Sequence, residues 1–272
     1  MKKIGFIGAG NMGGALIMAA SATIGGENII ICDHNPGKIE ALQESCGCMV
    51  TIDSSAVVKE SEYIVLGVKP QVMKDTVKSL VPALKERIEA KDSLPVFVTM
   101  AAGISTEVIK MCLGTAVPVI RIMPNTPAMV QAGMILYTAS ADVTDEQMDH
   151  FLEMVAGAGS FEKIPEEKMD QTSAVSGCTP AYAYMFIESL ADGAVQVGVP
   201  RAQALRLAAQ AVLGSAKMVL ETGIHPDQLK DNVCSPGGST IEGVNALEKG
   251  GFRGLVAEAI VKATEKNIKL GK

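Results

Sequence analysis

Strand and helix signals alternate through residues 1–164 and give way to helix alone through 165–272. That pattern predicts an α/β fold, with a mostly parallel sheet joined by right-handed crossovers in the N-terminal part and an all-helical C-terminal part. A glycine-rich turn directly after the first strand and a proline at 165, where the strand signals stop, mark the start of the one and the limit of the other. The length, 272 residues, suits one large or two medium domains.

Composition narrows the partners. Hydrophobic residues make up 48% and charged residues 20%, a core-forming globular mix. The net charge of -6 leaves no basic footprint, which argues against nucleic acid and against an anionic membrane. No apolar run approaches the roughly 20 residues of a membrane helix. Met1-Lys2-Lys3-Ile4-Gly5 turns at once into a strand and is no secretory signal. The six cysteines, Cys32, Cys46, Cys48, Cys112, Cys178 and Cys234, therefore read as reduced thiols of a cytoplasmic protein. Cys46-Gly47-Cys48 fits no common zinc spacing, the three histidines are scattered, and no metal is expected.

Lys3–Ile7 is a short β-rich run. Gly8-Ala9-Gly10-Asn11-Met12-Gly13 follows it directly, and Leu16, Ile17 and Ala20 continue at helical spacing. Strand, G-x-G-x-x-G and helix stand in the order a dinucleotide site requires. Gly8 makes the turn, Gly10 admits a pyrophosphate close to the backbone, and Gly13 lets helix and strand pack. The motif alone is common, but a second strand, Asn28–Cys32, ends in Asp33 about 20 residues further on, where the cofactor ribose sits in such sheets. The first part is thus Rossmann-type. A carboxylate at 33 accepts from a free 2′-hydroxyl and repels a 2′-phosphate, which favours NADH. The other reading of Asp33 is a cap on the helix opening at Pro36. No arginine stands nearby to clamp a phosphate; His34, Asn35 and, one turn on, Lys38 are the candidates.

Apolar runs at Tyr63–Val68, Val96–Met100, Val117–Met123 and Met134–Thr138 extend the sheet, with helical patterns at Gln71–Leu84 and Ser105–Leu113. Gly67-Val68-Lys69-Pro70, Met100-Ala101-Ala102-Gly103 and Met123-Pro124-Asn125-Thr126-Pro127 close three of the strands. Ligands bind at the carboxyl ends of parallel strands. Small residues there leave room for a cofactor ring, Lys69 approaches a phosphate or ribose, and two prolines fix the loop that presents the Asn125 amide. Each loop alone would pass as a surface turn; three in succession read as a site. A helix at Thr144–Ala156 and a short strand at Ser160–Ile164 complete this part.

Pro165-Glu166-Glu167 reads as a boundary and a helix start. Pro180–Val197 and Pro200–Leu220 are long helical runs led by proline, with Gly198 and Gly223 as stops, and Phe252–Leu270 closes the chain. Arg201–Leu220 carries alanine or leucine on nearly every face, and a helix apolar all round must be buried on all sides. The helical part is too small to bury it alone, which predicts an intertwined homodimer; helices folded onto their own sheet are the alternative. Arg201, Arg206 and Lys217 exclude a membrane span.

Cys234-Ser235-Pro236-Gly237-Gly238-Ser239-Thr240-Ile241-Glu242-Gly243 reads as a tight turn opening a helix. Gly237 and Gly238 give the backbone its freedom, and Ser239 or Thr240 is placed to cap the helix. The first amides of such a helix suit a small anion such as a carboxylate. An ordinary capped turn is the other reading.

These residues form an ordered set that resembles the pyrroline-5-carboxylate reductase family over the full chain. The set runs from Gly5-Phe6-Ile7-Gly8-Ala9-Gly10-Asn11-Met12-Gly13 through Val68-Lys69-Pro70, Ala101-Ala102-Gly103 and Arg121-Ile122-Met123-Pro124-Asn125-Thr126-Pro127. It continues with Val175-Ser176-Gly177, Pro180-Ala181-Tyr182 and Lys230-Asp231-Asn232, and ends on Ser235-Pro236-Gly237-Gly238-Ser239-Thr240-Ile241-Glu242. The first motif is shared by many dehydrogenases, the last three by this family alone. The pattern is departed from in two places: at Cys178-Thr179, and at Asp33, where the family has small or hydroxyl residues and prefers NADPH.

The resemblance implies two domains: a dinucleotide-binding Rossmann domain over 1–164 and an all-helical dimerisation and substrate-binding domain over 165–272. It implies reduction of the C=N bond of 1-pyrroline-5-carboxylate to L-proline, the last step of proline biosynthesis, with NADPH or NADH as cofactor. It also implies an active site shared between subunits of a homodimer, often in a ring of dimers. The cofactor-binding residues expected are Ile7, Gly8, Ala9, Gly10, Asn11, Met12, Asp33, Ser54, Gly67, Val68, Lys69, Pro70, Ala101, Ala102 and Asn125. The substrate carboxylate would sit on the amides of Gly237, Gly238 and Ser239. Thr240, the expected catalytic side chain, would hydrogen-bond the ring nitrogen, and Val175 and Ser176, on the family's loop, would border the pocket. A β-hydroxyacid dehydrogenase shares the architecture, but its glycine-rich lysine motif is missing here. A nucleotide sensor without turnover would have no need of the Pro-Gly-Gly-Ser-Thr seat.

Overall fold

The computed structural model describes residues 2–270; residue 1 and residues 271–272, the outer ends of the two expected domains, lie outside the described residues. Eight strands form one sheet: β1 (Lys2–Ile7), β2 (Ile29–Cys32), β3 (Met49–Thr51), β4 (Ser61–Leu66), β5 (Val96–Thr99), β6 (Val119–Met123), β7 (Gly133–Ala139) and β8 (Gly159–Lys163). Their order is β3-β2-β1-β4-β5-β6-β7-β8. The first six strands run parallel, β7 pairs antiparallel with β6, and β8 pairs parallel with β7. The chain reverses after β6 because it turns back through the short turn Thr126–Val130, with no crossover helix between. The order also reverses about β1 and β4, so the carboxyl ends of those two strands flank a topological switch point.

Seven helices accompany the strands: α1 (Asn11–Ile24), α2 (Pro36–Cys46), α3 (Ser54–Glu60), α4 (Pro70–Ser79), α5 (Val81–Glu89), α6 (Thr106–Leu113) and α7 (Asp145–Met154). On one face of the sheet, Leu16, Ile17 and Ala20 of α1 and Phe151 of α7 pack with Ile4, Phe6 and Val98. On the other, Met73, Val77, Leu84 and Ile109 pack with Ile64, Leu66 and Phe97. Strands covered on both faces read as continuous apolar runs, as β2, β4 and β5 do. The helix expected at Gln71–Leu84 is two helices, and the second has a proline, Pro82, in its first turn. Lacking an N–H, Pro82 cannot continue the ladder of α4. The short elements β3 and α3 were not anticipated from the sequence.

The last five helices are α8 (Met169–Gln196), α9 (Arg201–Thr222), α10 (Pro226–Asn232), α11 (Ser239–Lys249) and α12 (Phe252–Leu270). By its contacts the chain divides into two units, one running to Gly177 and joined by the stretch from Thr264, the other spanning Cys178–Ala263. In the second unit Phe186 and Phe252 pack at 5.7 Å between ring centres, and the Tyr182 hydroxyl donates to the Ala259 carbonyl at 3.4 Å. α9 buries Ala204 and Ala208, yet Leu213 is 61% and Leu220 83% exposed. The apolar surface read from the sequence is therefore left in water by a single chain, the mark of an interaction face.

In the first unit the start of α8 is bolted to the sheet. Arg121 of β6, 3% exposed, pairs with Asp170 at 3.0 Å and with Glu166 at 3.6 Å. Glu166 also accepts from the Thr106 amide at 2.8 Å and hydroxyl at 2.7 Å. Asn267 donates to the Asp170 carbonyl at 3.2 Å. Removing one partner of a buried pair leaves the other charge uncompensated. Arg121→Met should therefore cost about 3 kcal/mol in urea unfolding, the low end for such pairs, because each carboxylate side chain stays 29% exposed. A change below about 0.5 kcal/mol would mean that the network contributes nothing.

Candidate active site

The glycine turn and the ends of β1 and β4 meet backbone to backbone. The Gly8 amide donates to the Cys32 carbonyl and the Gly67 amide to the Ile7 carbonyl, each at 2.8 Å. Gly8 has φ +100°, and a Cβ there would lie 2.7 Å from the Gly67 carbonyl carbon. A Cβ at Gly13 would lie 2.5 Å from the Gly8 oxygen. These contacts require the absence of side chains and set the floor of a cleft.

That cleft has a volume of about 410 Å³. It brings together Gly10, Asn11 and Met12 from the turn, Gly67, Val68, Lys69 and Pro70 after β4, and Ala101 and Ala102 after β5, nine of the expected cofactor residues. Ile7, Gly8 and Ala9 stand behind this wall; Ile7 and Ala9 are buried. A Cβ at Gly10 would meet nothing within 4 Å, so it would project into open space. Gly10 is also the N-cap of α1, with no side-chain cap and no acidic residue in the first turn. The leading amides of α1 are thus open to an anion.

The three remaining expected cofactor residues are likewise not part of the cleft wall. Ser54 opens α3 after β3. Asp33 turns its carboxylate to the backbone: Oδ2 accepts from the Ala9 amide at 2.6 Å and Oδ1 from the Asn35 amide at 2.9 Å. The helix at Pro36 is capped instead by Asn35, which accepts from the Lys38 amide. Asn125 is 9% exposed and engaged at both ends: Nδ2 donates to the Ser176 carbonyl and Oδ1 accepts from the Met134 amide, each at 2.9 Å. Four further residues, Lys38, Met100, Met123 and Pro124, complete the wall. Met100 and Met123 sit at the carboxyl ends of β5 and β6, the position that signals them in the sequence.

Val175 and Ser176 lie in α8, not on a loop as expected. α8 begins at Met169 and carries Pro180 inside it. A proline there removes the N–H that would bond the Ser176 carbonyl, and the Asn125 amide takes that place. The Ser176 hydroxyl is buried with no hydrogen-bond partner among the described residues, whereas Val175 is exposed.

In the second unit, Gly237 has φ +68° and the Gly238 amide donates to the Ser235 carbonyl at 3.0 Å. The expected capping by Ser239 or Thr240 does not occur. Gly238 is the N-cap of α11, no side chain caps it, and Ser239 and Thr240 are the first helical residues, both exposed. The helix begins earlier than the sequence reading assumed, with the cap at Gly238 rather than at Ser239 or Thr240, which moves both hydroxyls into the helix and leaves its leading amides without a side-chain cap.

Residues 166–270 match the family model described as "Pyrroline-5-carboxylate reductase dimerisation", and residues 3–88 that described as "NADP oxidoreductase coenzyme F420-dependent". The chain is 45% identical to the pyrroline-5-carboxylate reductase of Escherichia coli (strain K12), over 100% of this chain and 99% of that one. The structure resembles a pyrroline-5-carboxylate reductase from Coxiella burnetii, with a TM-score of 0.89 and 31% identity over 100% and 99% of the two chains. It also resembles the Plasmodium falciparum pyrroline carboxylate reductase with NADP bound, with a TM-score of 0.87 and 28% identity over 100% and 98%.

Gly10 separates binding from folding. Gly10→Ala should leave stability within about 1 kcal/mol of wild type, the usual range for changes at a cap. It should weaken binding of a dinucleotide by at least about tenfold, read by NADPH fluorescence titration. Unchanged binding would show that the cleft is not where a dinucleotide sits.

Proposed function

We infer the function from one premise: the chain belongs to the pyrroline-5-carboxylate reductase family. It is an NAD(P)-dependent oxidoreductase that reduces the C=N bond of 1-pyrroline-5-carboxylate, giving L-proline as the last step of proline biosynthesis. The end-to-end match to the Escherichia coli enzyme carries this conclusion. Its helical half carries the dimerisation domain of the family.

The cleft suits a dinucleotide on three counts: the open space in front of Gly10, the uncapped start of α1, and two cations, Lys38 and Lys69, on its wall. NADPH or NADH, when bound, supplies a hydride to the imine carbon. In our reading the amides after Gly10 hold the pyrophosphate. Gly67, Val68, Ala101 and Ala102, being small, make room for the ring, and Lys69 meets a phosphate or ribose. Asn125 acts by holding this loop against α8 rather than by touching the cofactor.

For the substrate we place the carboxylate on the amides of Gly237, Gly238 and Ser239. The uncapped start of α11 supports that reading. Thr240 holds the ring nitrogen through its hydroxyl. Val175 and Ser176 border the pocket, and the unpartnered Ser176 hydroxyl supports a ligand contact there. A protonated imine is already an electrophile, so the protein's main tasks are proximity and orientation, without a strong general acid.

The domain division we propose is 1–164 for dinucleotide binding and 165–272 for dimerisation and substrate binding, supported by the span of the dimerisation match. The exposed leucines of α9 support an intertwined homodimer, and we extend this to a ring of dimers. We place the enzyme in the cytoplasm, where its six cysteines stay reduced.

Oxidation of NADPH with pyrroline-5-carboxylate, set against reduction of NADP+ with a β-hydroxy acid, tests the reaction class; turnover with the hydroxy acid alone would overturn it. Thr240→Ala should lower kcat by about tenfold or more while the NADPH dissociation constant stays within about twofold. An unchanged kcat removes Thr240 from the mechanism.

A further inference from the structure

Asp33 follows β2 and Lys38 lies in the first turn of α2, and their surroundings divide their roles. Both oxygens of Asp33 receive backbone N–H groups, from Ala9 inside the glycine turn and from its neighbour Asn35. The side chain is 7% exposed, which leaves little of it for a nucleotide to reach. Burial alone would push this carboxyl up. The two amide donors, with His34 and Lys38 nearby, instead hold it below the ordinary carboxylate value. Asp33 is therefore anionic and occupied by the turn. Lys38 is the opposite case. It is exposed, lies on the cleft wall with Gly10, Asn11 and Met12, and forms no ion pair among the described residues. It sits in the first turn of α2, just beyond β2, where the adenosine ribose lies in this fold. No arginine is available there, so its ammonium is the fixed cation at that corner.

We propose that Asp33 is a positioning residue that straps the glycine turn to the end of β2, and that Lys38 is the residue that recognises a 2′-phosphate. The carboxylate at 33 then does not bar NADPH, and the preference for NADPH over NADH resides in Lys38. This rests on the reading of the cleft as the dinucleotide site.

The test is calorimetric titration of wild type, Lys38→Ala, Lys38→Arg and Asp33→Asn with 2′,5′-ADP and with ADP, which differ at the 2′ position. Lys38→Ala should weaken 2′,5′-ADP about tenfold, as expected for loss of a charged hydrogen bond, and leave ADP within about twofold. Lys38→Arg should retain the difference between the two ligands. Asp33→Asn should weaken both ligands by one common factor and raise KM for NADPH and NADH together at unchanged kcat. It should also speed amide exchange at Ala9 but not in the interior of β5. Equal loss of both ligands in Lys38→Ala, or none, overturns the inference while the nucleotide reading survives. So does a gain in the 2′,5′-ADP to ADP ratio in Asp33→Asn, which would return discrimination to Asp33. A wild type that binds neither ligand nor NADPH removes both readings together. Lys38 is exposed and its variants should fold, so they decide the matter even if Asp33→Asn does not fold.

Discussion

The active-site side of the first unit depends on one side chain, Asn125. Pro180 lies inside the 28-residue helix α8 and cannot donate to the Ser176 carbonyl. Left unpaired at a buried position, that carbonyl would cost about 1–3 kcal/mol. The Asn125 amide donates to it, and the same side chain accepts from Met134 at the start of β7. One residue thus fixes the loop after β6, the strand that returns from it and the helix laid across it. Arg121 repeats the attachment a few residues earlier through Asp170 and Glu166. Met123 and Pro124, between these two anchors, have little freedom, and they form part of the cleft wall.

The floor of the cleft is held by exclusion. Gly8, Gly13 and Gly67 approach so closely that any side chain would collide with backbone. Backbone has no rotamers through which to yield, so the geometry of the switch point is stiff. Stiffness matters for this reaction. Reducing an activated imine asks the protein for placement rather than for proton transfer, and placement errors of an ångström are costly.

What the sequence made legible follows from the range of the interactions. Strand–helix alternation, the glycine turn and the proline and glycine stops are local signals, and the parallel sheet, the cleft and the helical second half followed from them. The readings that changed are those decided at a distance. Asp33 was read from its place after β2, but its partner is Ala9, 24 residues away. Pro180 was read as a helix start, as prolines usually are; the residue that lets it sit inside a helix is Asn125, 51 residues from Ser176. β3 and α3 are too short for periodicity to register. After Gly238 the sequence offered two hydroxyl caps, and the helix, starting earlier than assumed, used neither.

That last difference bears on function. A side-chain cap and a bound anion compete for the same leading amides of a helix. α2, α3, α6 and α7 are capped by the side chains of Asn35, Asp53, Ser105 and Thr144. α1, α4 and α11 are not: their cap positions are Gly10, Lys69 and Gly238. α5 and α9 also lack a side-chain cap, but one continues from the end of α4 and the other opens behind Pro200. Glycine in place of a capping serine costs a helix only a few tenths of a kcal/mol, whereas a capping hydroxyl would have to be displaced each time an anion bound. The uncapped helices include those whose first turns face the proposed phosphate and carboxylate positions. A small loss of helix stability thereby keeps the amides free for ligand.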